Sequence, residues 1–242
     1  MIKKVKPYNT HESKKLQISK MFDKISIKYD ITNKLISLGL DTIWRRKLVK
    51  IISLIKPKKT LDVATGTADV AIELTKIENN KVFGIDISNN MIELGEKKII
   101  RLKLDNKIKL INQDVEKMKF NSNSFDAVTI AFGVRNFENI NKALKEIFRV
   151  LKSNGILVIL ETSIPENLIL KNIHKLYLRI IMPIIGLITS SDINAYKYLA
   201  LSTMNFPNKS VFNNILLKNG FIKVNVKKHS FGIVSIYSAS KP

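Results

Sequence analysis

A run of small residues between two acids is the first segment whose residue types suit ligand binding. It reads Asp62-Val-Ala-Thr-Gly66-Thr67-Ala-Asp69, and its short side chains would let a ligand approach the backbone closely. Backbone amides at the start of a following helix favour an anionic group, whereas the carboxylate of Asp62 favours a cationic one. The run alone is equally compatible with a tight loop.

The second candidate is Asp86, which lies twenty residues after Gly66 at the end of Phe83-Gly-Ile-Asp86. A carboxylate at about this spacing accepts hydrogen bonds from both hydroxyls of a ribose in many nucleotide sites. The alternative for Asp86 is a helix N-cap, but Ser88 suits that position better. We therefore expect Asp86 to bind the ribose of a nucleoside.

Two more polar segments follow later apolar runs. Asn112-Gln-Asp114-Val115 offers a carboxylate that either accepts from an adenine amino group or lies in a solvated turn. Ala131-Phe-Gly-Val-Arg135-Asn136 offers a cation and an amide, which either face the same cleft or cap a helix that begins near Glu138. Each segment is ambiguous alone, and their clustering at strand ends is what indicates one cleft.

These residues separate two classes of nucleotide-binding enzyme. A nicotinamide dehydrogenase fits poorly, because G-x-G-x-x-G is missing and Asp62 places negative charge where a pyrophosphate would lie. S-adenosylmethionine is a nucleoside without phosphates, and its ammonium and sulfonium groups suit an acidic turn. The sequence therefore predicts a methyltransferase that uses S-adenosylmethionine.

The elements that must position these residues alternate between short apolar strands and amphipathic helices, the pattern of βαβ units. The last two predicted strands are close enough to form an antiparallel hairpin. We predict a doubly wound, Rossmann-like α/β fold with a seven-stranded, mostly parallel sheet. The predicted strands are Leu61–Thr65, Lys81–Asp86, Ile108–Asn112, Phe125–Ala131, Gly155–Glu161, Phe221–Lys227 and Ile233–Ser238.

Helices are predicted around this strand pattern. An apolar face at i, i+3, i+4 and i+7 spacing predicts a helix from Ile140 to Leu151. Helices over Leu168–Ile181 and Asp192–Met204 resemble a lid, and another covers Asn208–Asn219. No linker-like composition interrupts the chain, so we expect one domain. Its parts are a helical cap (1–59), a cofactor-binding core (60–164), a helical lid insertion (165–205) and a C-terminal helix with hairpin (206–242).

Composition excludes several kinds of site. The 242 residues contain no cysteine, which rules out a disulfide framework, a thiolate metal site and a cysteine nucleophile. Residues 1–10 lack the apolar stretch of a secretory signal, and the apolar run 180–188 is about half the ~20 residues that span a bilayer. We therefore expect a cytoplasmic protein.

The charge balance leaves more open. There are 41 Lys and Arg against 20 Asp and Glu, a formal net charge of +21, and the lysines are spread along the whole chain. Such a spread is typical of general composition, but it also suits an anionic membrane surface or, less well, nucleic acid. We expect no nucleic-acid partner.

Three segments resemble the C-methyltransferases of menaquinone and ubiquinone biosynthesis, and the resemblance covers about residues 22–238. The segment Tyr29–Trp44 is similar to the family's first signature, with Thr32 where Met is usual and Asp41 where His is common. The segment Arg149–Ser163 is similar to the second signature, with Ser-Asn in place of Pro-Gly, and residues 132–136 form a third family-like stretch.

This resemblance implies methyl transfer to a ring carbon of a prenylated hydroquinone, without a metal. The acceptor it implies most directly is demethylmenaquinol, and a benzoquinol of the ubiquinone pathway is the alternative. It also assigns Thr67 and Asp86 to the cofactor and Asp114 with Val115 to its adenine end. Ala131 stands where many relatives have a cofactor-contacting Ser, so that contact is not expected here.

The implied reaction needs a group that activates the acceptor. A phenol titrates near pH ~10, so a base or a cation that stabilises the phenolate is required at neutral pH. We expect Arg135 to be that cation, Asn136 to orient the acceptor, and Tyr29 or Asp30 to belong to the proton path. Tyr29 is equally compatible with a packed aromatic, and Glu161 with either the substrate or the cofactor.

A prenylated acceptor also implies partners. Its tail needs an apolar channel, and a stripe on the lid helix either lines that channel or packs in the core: Ile169, Ile173, Leu176, Tyr177 and Ile180. We expect peripheral contact with the inner face of the membrane, and a homodimer is left open. Two other classes remain as alternatives, an RNA methyltransferase and a non-catalytic nucleoside-binding protein.

Overall fold

The computed structural model describes residues 5–190 and 192–242. Within these ranges the chain forms seven strands: β1 (Lys59–Val63), β2 (Lys81–Asp86), β3 (Ile108–Asn112), β4 (Phe125–Ala131), β5 (Leu151–Thr162), β6 (Ile222–His229) and β7 (Val234–Ser240). It also forms nine α-helices: α1 (Lys14–Ser37), α2 (Leu40–Ser53), α3 (Asp69–Leu74), α4 (Asn89–Arg101), α5 (Ile140–Val150), α6 (Leu168–Leu176), α7 (Met182–Ser190), α8 (Ile193–Met204) and α9 (Lys209–Lys218).

The seven strands form one sheet in the order β3-β2-β1-β4-β5-β7-β6. The first five strands pair in parallel, and β7 is antiparallel to both β5 and β6. The predicted doubly wound sheet and its closing hairpin are therefore confirmed. One boundary differs clearly: β5 begins at Leu151 rather than Gly155, because Leu151 already pairs with Phe125 across an irregular stretch.

Alternating side chains along the strands build a core on each face of the sheet. On β5, Val158 and Leu160 pack with α2 and α3, whereas Leu157 and Ile159 pack with α5 and α9. The order reverses between β1 and β4, so their carboxyl ends border an open crevice, the usual ligand position in such sheets. The segments chosen from the sequence follow these strand ends.

The lid differs from its prediction at Pro183. The helix predicted to end at Ile181 continues as α6, a π-helical turn over Tyr177–Ile181, and α7. Pro183 has no amide hydrogen to donate to the carbonyl four residues earlier, and the wider turn just before it accommodates that loss without ending the helix. The lid helices pack on α1 through a buried cluster that includes Met21, Leu178 and Tyr196.

Most of the apolar stripe on the lid lies at the surface. The exposed fractions are 71% for Ile169, 60% for Ile173, 59% for Leu176 and 48% for Ile180, and only Tyr177 is partly buried. Core packing is therefore the wrong explanation for four of the five residues. In the described part of the chain, the length and apolarity of every helix fall short of what crossing a bilayer requires.

Candidate active site

A buried carboxylate, that of Asp62, lies near the carboxyl end of β1. Asp62 is 1% exposed, and its carboxylate accepts hydrogen bonds from the hydroxyls of Thr65 at 2.6 Å and Thr129 at 2.7 Å. Burial raises the pKa of Asp62 to about 6, although the two hydroxyl donors lower it. A neighbouring cation would favour the ionised form of this carboxyl group.

Asp86 closes the turn after β1 from the end of β2. Its Oδ2 accepts from the Gly66 amide at 2.8 Å, and its Oδ1 accepts from the Ser88 amide at 2.9 Å. Ser88 caps α4 by accepting from the Met91 amide, so the capping position is filled as expected and not by Asp86. The Ile87 amide is a third backbone donor to this carboxylate, which has about four acceptor positions, so about one remains on Asp86 for a hydroxyl of a ligand.

Asp86 borders a cleft, called here the main cleft, between α1 and the carboxyl ends of β1 to β4. Four residues of α1 at helical spacing form one wall: Lys15, Ile18, Phe22 and Tyr29. The opposite side brings together five of the predicted site residues: Gly66, Asp86, Asp114, Val115 and Asn136. Segments that are separate in sequence thus meet in one place.

Lys15 forms a salt bridge with Asp114, the carboxylate predicted to bind the adenine end of the cofactor. Its Nζ lies 2.5 Å from Asp114 Oδ2, while Asp114 Oδ1 accepts from the Glu116 amide at 2.8 Å. The hydrogen bond to Asp114 raises the pKa of Lys15. Val115 is buried beside this pair. An adenine amino group would therefore share the Asp114 carboxylate with Lys15.

Thr67 and Asp30 lie together beside the main cleft. The Thr67 hydroxyl donates to Asp30 Oδ1 at 2.6 Å, and Lys98 Nζ lies 2.7 Å from Asp30 Oδ2. Lys98 also pairs with Asp69, whose other oxygen binds Arg45 at 2.8 Å. Thr67, Arg45 and Asp62 line a small recess next to the main cleft. The contacts of Asp30 favour a role in holding this turn over a role in proton transfer.

A second cavity of about 120 Å³, called here the inner cavity, lies against Tyr29 and Phe132. Both side chains also line the main cleft, so they form a wall that the two spaces share. Burial raises the pKa of the Tyr29 hydroxyl, while Arg45 and Arg135 act in the opposite direction. Asp41, which stands where the family commonly has His, lines this cavity and binds Arg45 at 2.6 Å.

Arg135 lines the inner cavity and rests on a buried acid. Its guanidinium pairs with Glu161, which is fully buried, and donates to the Phe132 carbonyl at 2.9 Å. Its Nε is buried and lacks a hydrogen-bond partner among residues 5–190 and 192–242. Asn136 instead faces the main cleft and accepts from the Tyr198 hydroxyl at 3.1 Å. The two neighbours thus serve different spaces.

Comparison with known proteins decides the family. The model of the ubiE/COQ5 methyltransferase family matches residues 9–241. The chain belongs to this family. It is 39% identical over 239 residues to a demethylmenaquinone methyltransferase of Bacteroides fragilis, covering 98% of both chains. It is 37% identical over 233 residues to one of Staphylococcus aureus, covering 96% of this chain and 95% of the relative.

Solved structures agree with the ubiE/COQ5 family on the fold. A SAM-dependent methyltransferase from Thermotoga maritima aligns with a TM-score of 0.67 at 16% identity, covering 93% of this chain and 100% of that one. One from Aquifex aeolicus aligns with a TM-score of 0.64 at 18% identity, covering 88% and 98%. The methyltransferase class and the Rossmann-like fold predicted from the sequence are therefore confirmed.

The donor set of this methyltransferase fits S-adenosylmethionine. Asp86 retains an acceptor position for a ribose hydroxyl, and the buried Asp62 beside the Gly66 turn suits a cationic ligand end. Gly133 lets the segment after β4 pack closely on the segment after β1, because a Cβ there would lie 2.5 Å from that of Ala64. In the described ranges, no three His, Cys, Asp or Glu side chains are grouped to hold a metal ion.

Several residues of this ubiE/COQ5 site were not predicted from the sequence. Trp44 and Arg45 of α2 and His174 of α6 all line the inner cavity. Nothing in the local sequence indicates which face of α2 or α6 turns inward. The wall from α1 did carry a signal, because Lys15, Ile18, Phe22 and Tyr29 share one helical face.

Proposed function

We propose that this chain transfers the methyl group of S-adenosylmethionine to a ring carbon of demethylmenaquinol. The observation that carries the proposal is the shared wall of Tyr29 and Phe132, which separates a nucleoside-binding cleft from a cavity that holds Arg135. A methyl donor in the cleft and a flat acceptor in the cavity would both contact these two side chains, so the two ligands would be neighbours. The relatives named demethylmenaquinone methyltransferase support this choice of acceptor.

In this proposal, two carboxylates near the turn after β1, those of Asp86 and Asp62, orient the methyl donor. S-adenosylmethionine, when bound, supplies an electrophilic methyl group on its sulfonium sulfur. A ribose hydroxyl of the cofactor donates a hydrogen bond to Asp86, and the Asp62 carboxylate stabilises the positively charged end of the cofactor. The remaining contacts come from Gly66, Thr67, Asp114 and Val115.

The acceptor side works by charge and position. A phenolate that forms in the inner cavity would be stabilised by the Arg135 guanidinium, whose Nε has no other partner in the described chain. Tyr29, which lines both spaces, holds the ring against the donor, while Asn136 orients the reactants from the side of the main cleft; alignment of the reacting atoms supplies much of the acceleration. Asp30 stabilises the turn through Thr67 and Lys98.

The test is methyl transfer by the purified chain with methyl-labelled S-adenosylmethionine. Demethylmenaquinol kept under reducing conditions should be labelled, whereas its di-O-methyl ether should not, because it has no hydroxyl proton to lose. A benzoquinol of the ubiquinone pathway and a total RNA preparation serve as competing acceptors. Label in the benzoquinol or the RNA and none in demethylmenaquinol would refute the proposal.

We also propose that the chain binds the inner face of the membrane through α6. Its exposed apolar residues lie beside a basic stripe at four-residue spacing, which consists of Lys171 and Lys175 of α6 and Arg179 of the following π turn. An amphipathic helix with this arrangement suits an anionic lipid surface, where a prenylated acceptor is dissolved. A homodimer remains a prediction, which sedimentation at several protein concentrations would check.

Cosedimentation with vesicles tests the membrane proposal. Ile169→Asp with Ile173→Asp should reduce binding to vesicles that contain phosphatidylglycerol, and the loss should be larger at low salt. Ile100→Asp is the matched control, since Ile100 is 63% exposed on α4, away from the lid. Equal binding by the double variant and the control would contradict the proposal.

A further inference from the structure

His174 is a buried polar side chain that the proposed mechanism has not used. It lies on α6, is 8% exposed and lines the inner cavity. Its Nε2 is buried and makes no hydrogen bond to any described residue. Buried polar atoms in folded proteins are almost always paired, so an unpaired nitrogen beside a cavity indicates a ligand group that would pair with it.

The other proton-accepting groups that line this cavity already have partners. Asp41 accepts hydrogen bonds from Ser37, at the end of α1, and from Arg45 of α2. The Tyr177 hydroxyl of the π turn donates to the Ile36 carbonyl at 2.6 Å. Tyr29 of α1 is hydrogen bonded to Asn33. Within the described residues, His174 is therefore the imidazole available to a ligand.

We propose that His174 binds a hydroxyl of the acceptor ring and removes its proton. The proposal rests on the proposed function, since it needs a hydroquinone in the inner cavity. A rotation about χ2, which is a soft torsion in His, brings a ring nitrogen towards the space that the acceptor fills. The position on the lid also places His174 across the cavity from the strand-end residue Arg135.

Deprotonation of the acceptor by His174 starts the proposed reaction. The acceptor O–H bond breaks and an imidazole N–H bond forms, which leaves a phenolate beside Arg135 and Arg45. A ring electron pair forms the new carbon–methyl bond, and the pair of the broken methyl–sulfur bond stays on sulfur. The same ring carbon then loses its hydrogen as a proton, and the imidazolium returns the first proton to oxygen. One proton is released overall.

The electrostatic setting suits a neutral imidazole. Burial lowers the pKa of His174 below its usual value near 6.5, so one ring nitrogen is an acceptor at neutral pH. The acceptor phenol ordinarily titrates near pH ~10, so the transfer is uphill without help. Arg45 and Arg135, which line the same cavity, stabilise the phenolate and reduce that difference.

The experiment compares His174→Gln with His229→Gln. Gln keeps a polar group near the position of Nε2 but does not titrate, while His229 lies on β6, near Lys47, outside the inner cavity. Binding is read from Trp44, the single tryptophan of the chain, which lines the inner cavity and whose fluorescence a short-chain 2-prenyl-1,4-naphthohydroquinone should quench. Turnover and its pH profile are measured on the same preparations.

We expect His174→Gln to bind the naphthohydroquinone within about threefold of wild type but to turn over about 10²–10⁴-fold more slowly. At saturating S-adenosylmethionine, where protonation of Asp62 does not limit cofactor binding, the fall of turnover at acidic pH that we expect for wild type should disappear in this variant, and His229→Gln should match wild type throughout. Wild-type turnover and pH profile in His174→Gln would overturn the proposal. A wild-type chain that methylates no naphthohydroquinone would instead overturn the proposed function, and the role of His174 with it.

A second measurement does not depend on a folded variant. The imidazole proton and carbon signals of wild-type His174 are followed by NMR while the naphthohydroquinone is added without S-adenosylmethionine. The signal should shift on binding and should titrate at a different pH in the complex. Binding reported by Trp44 with an unchanged His174 signal would overturn the proposal.

Discussion

The buried carboxylate of Asp62 should make cofactor affinity depend on pH. Because burial raises its pKa to about 6, this carboxyl group is about half protonated near pH 6 in the unliganded protein. A cationic ligand end is stabilised only by the ionised form. The affinity for S-adenosylmethionine should therefore be constant above about pH 7 and fall progressively below about pH 6.

The size of the effect follows from the two pKa values. If the bound cation returns the pKa of Asp62 from about 6 to its ordinary 3.8, the difference is about two pH units. At 1.36 kcal/mol per unit, this corresponds to about 3 kcal/mol, or about a hundredfold in affinity between the ionised and protonated forms. The sign for folding is opposite: the raised pKa favours the unliganded fold most at low pH, and this contribution is lost as the pH rises through about 6.

Isothermal titration calorimetry in buffers of different ionisation enthalpy measures both the affinity and the protons released. Near pH 5.5, wild type should release between about half a proton and one proton for each S-adenosylmethionine bound. Asp62→Asn should release none. Asp126→Asn is the control, because Asp126 pairs with Lys152 near the other ends of the strands. An affinity that does not change between about pH 5 and pH 7.5 would refute this reasoning about Asp62.

Three further predictions concern packing and binding. Arg135→Ala should destabilise the fold by about 3–5 kcal/mol in urea unfolding, because Glu161 would be left buried and unpaired, and Arg135→Ala with Glu161→Gln should recover much of that loss. Gly186→Ala should cost about 1–3 kcal/mol in the same assay, since its Cβ would lie 2.2 Å from the buried ring of Tyr196; an unchanged midpoint would contradict this packing. Asp86→Ala should weaken S-adenosylmethionine binding by about 1.5–3 kcal/mol, as measured by calorimetry, and equal affinity in a folded variant would remove Asp86 from the site.

The sheet and the main cleft were predictable because their signals are local. Apolar runs followed by Asp62, Asp86, Asp114 and Arg135 place these residues at strand ends, and the carboxyl ends of parallel strands meet at one edge. Family resemblance then added the acceptor chemistry. Once these residues are placed at the carboxyl edge of the sheet, their acidic or basic side chains indicate which groups of a ligand they could bind.

The inner cavity was less predictable because contacts between distant helices decide it. Asp30 is held by Lys98 of α4, a partner 68 residues away, and His174 of α6 lines the same cavity as residues of α1 and α2 that are more than 100 residues away in sequence. The stripe of Ile169 and Ile173 has the spacing of a core face, yet it lies at the surface. Periodicity identifies an apolar face but does not say what covers it.

The position of β7 has a consequence for how the protein is made. This strand is synthesised after the other six, yet it lies between β5 and β6 and pairs with both of them. Until the ribosome has released Val234–Ser240, β5 presents an open edge of parallel sheet, and such edges favour pairing between chains. A nascent chain of this protein therefore depends on β7, which is synthesised late, to cover the edge of a sheet whose first five strands are synthesised earlier. The need for chaperones should be highest just before β7 emerges from the ribosome.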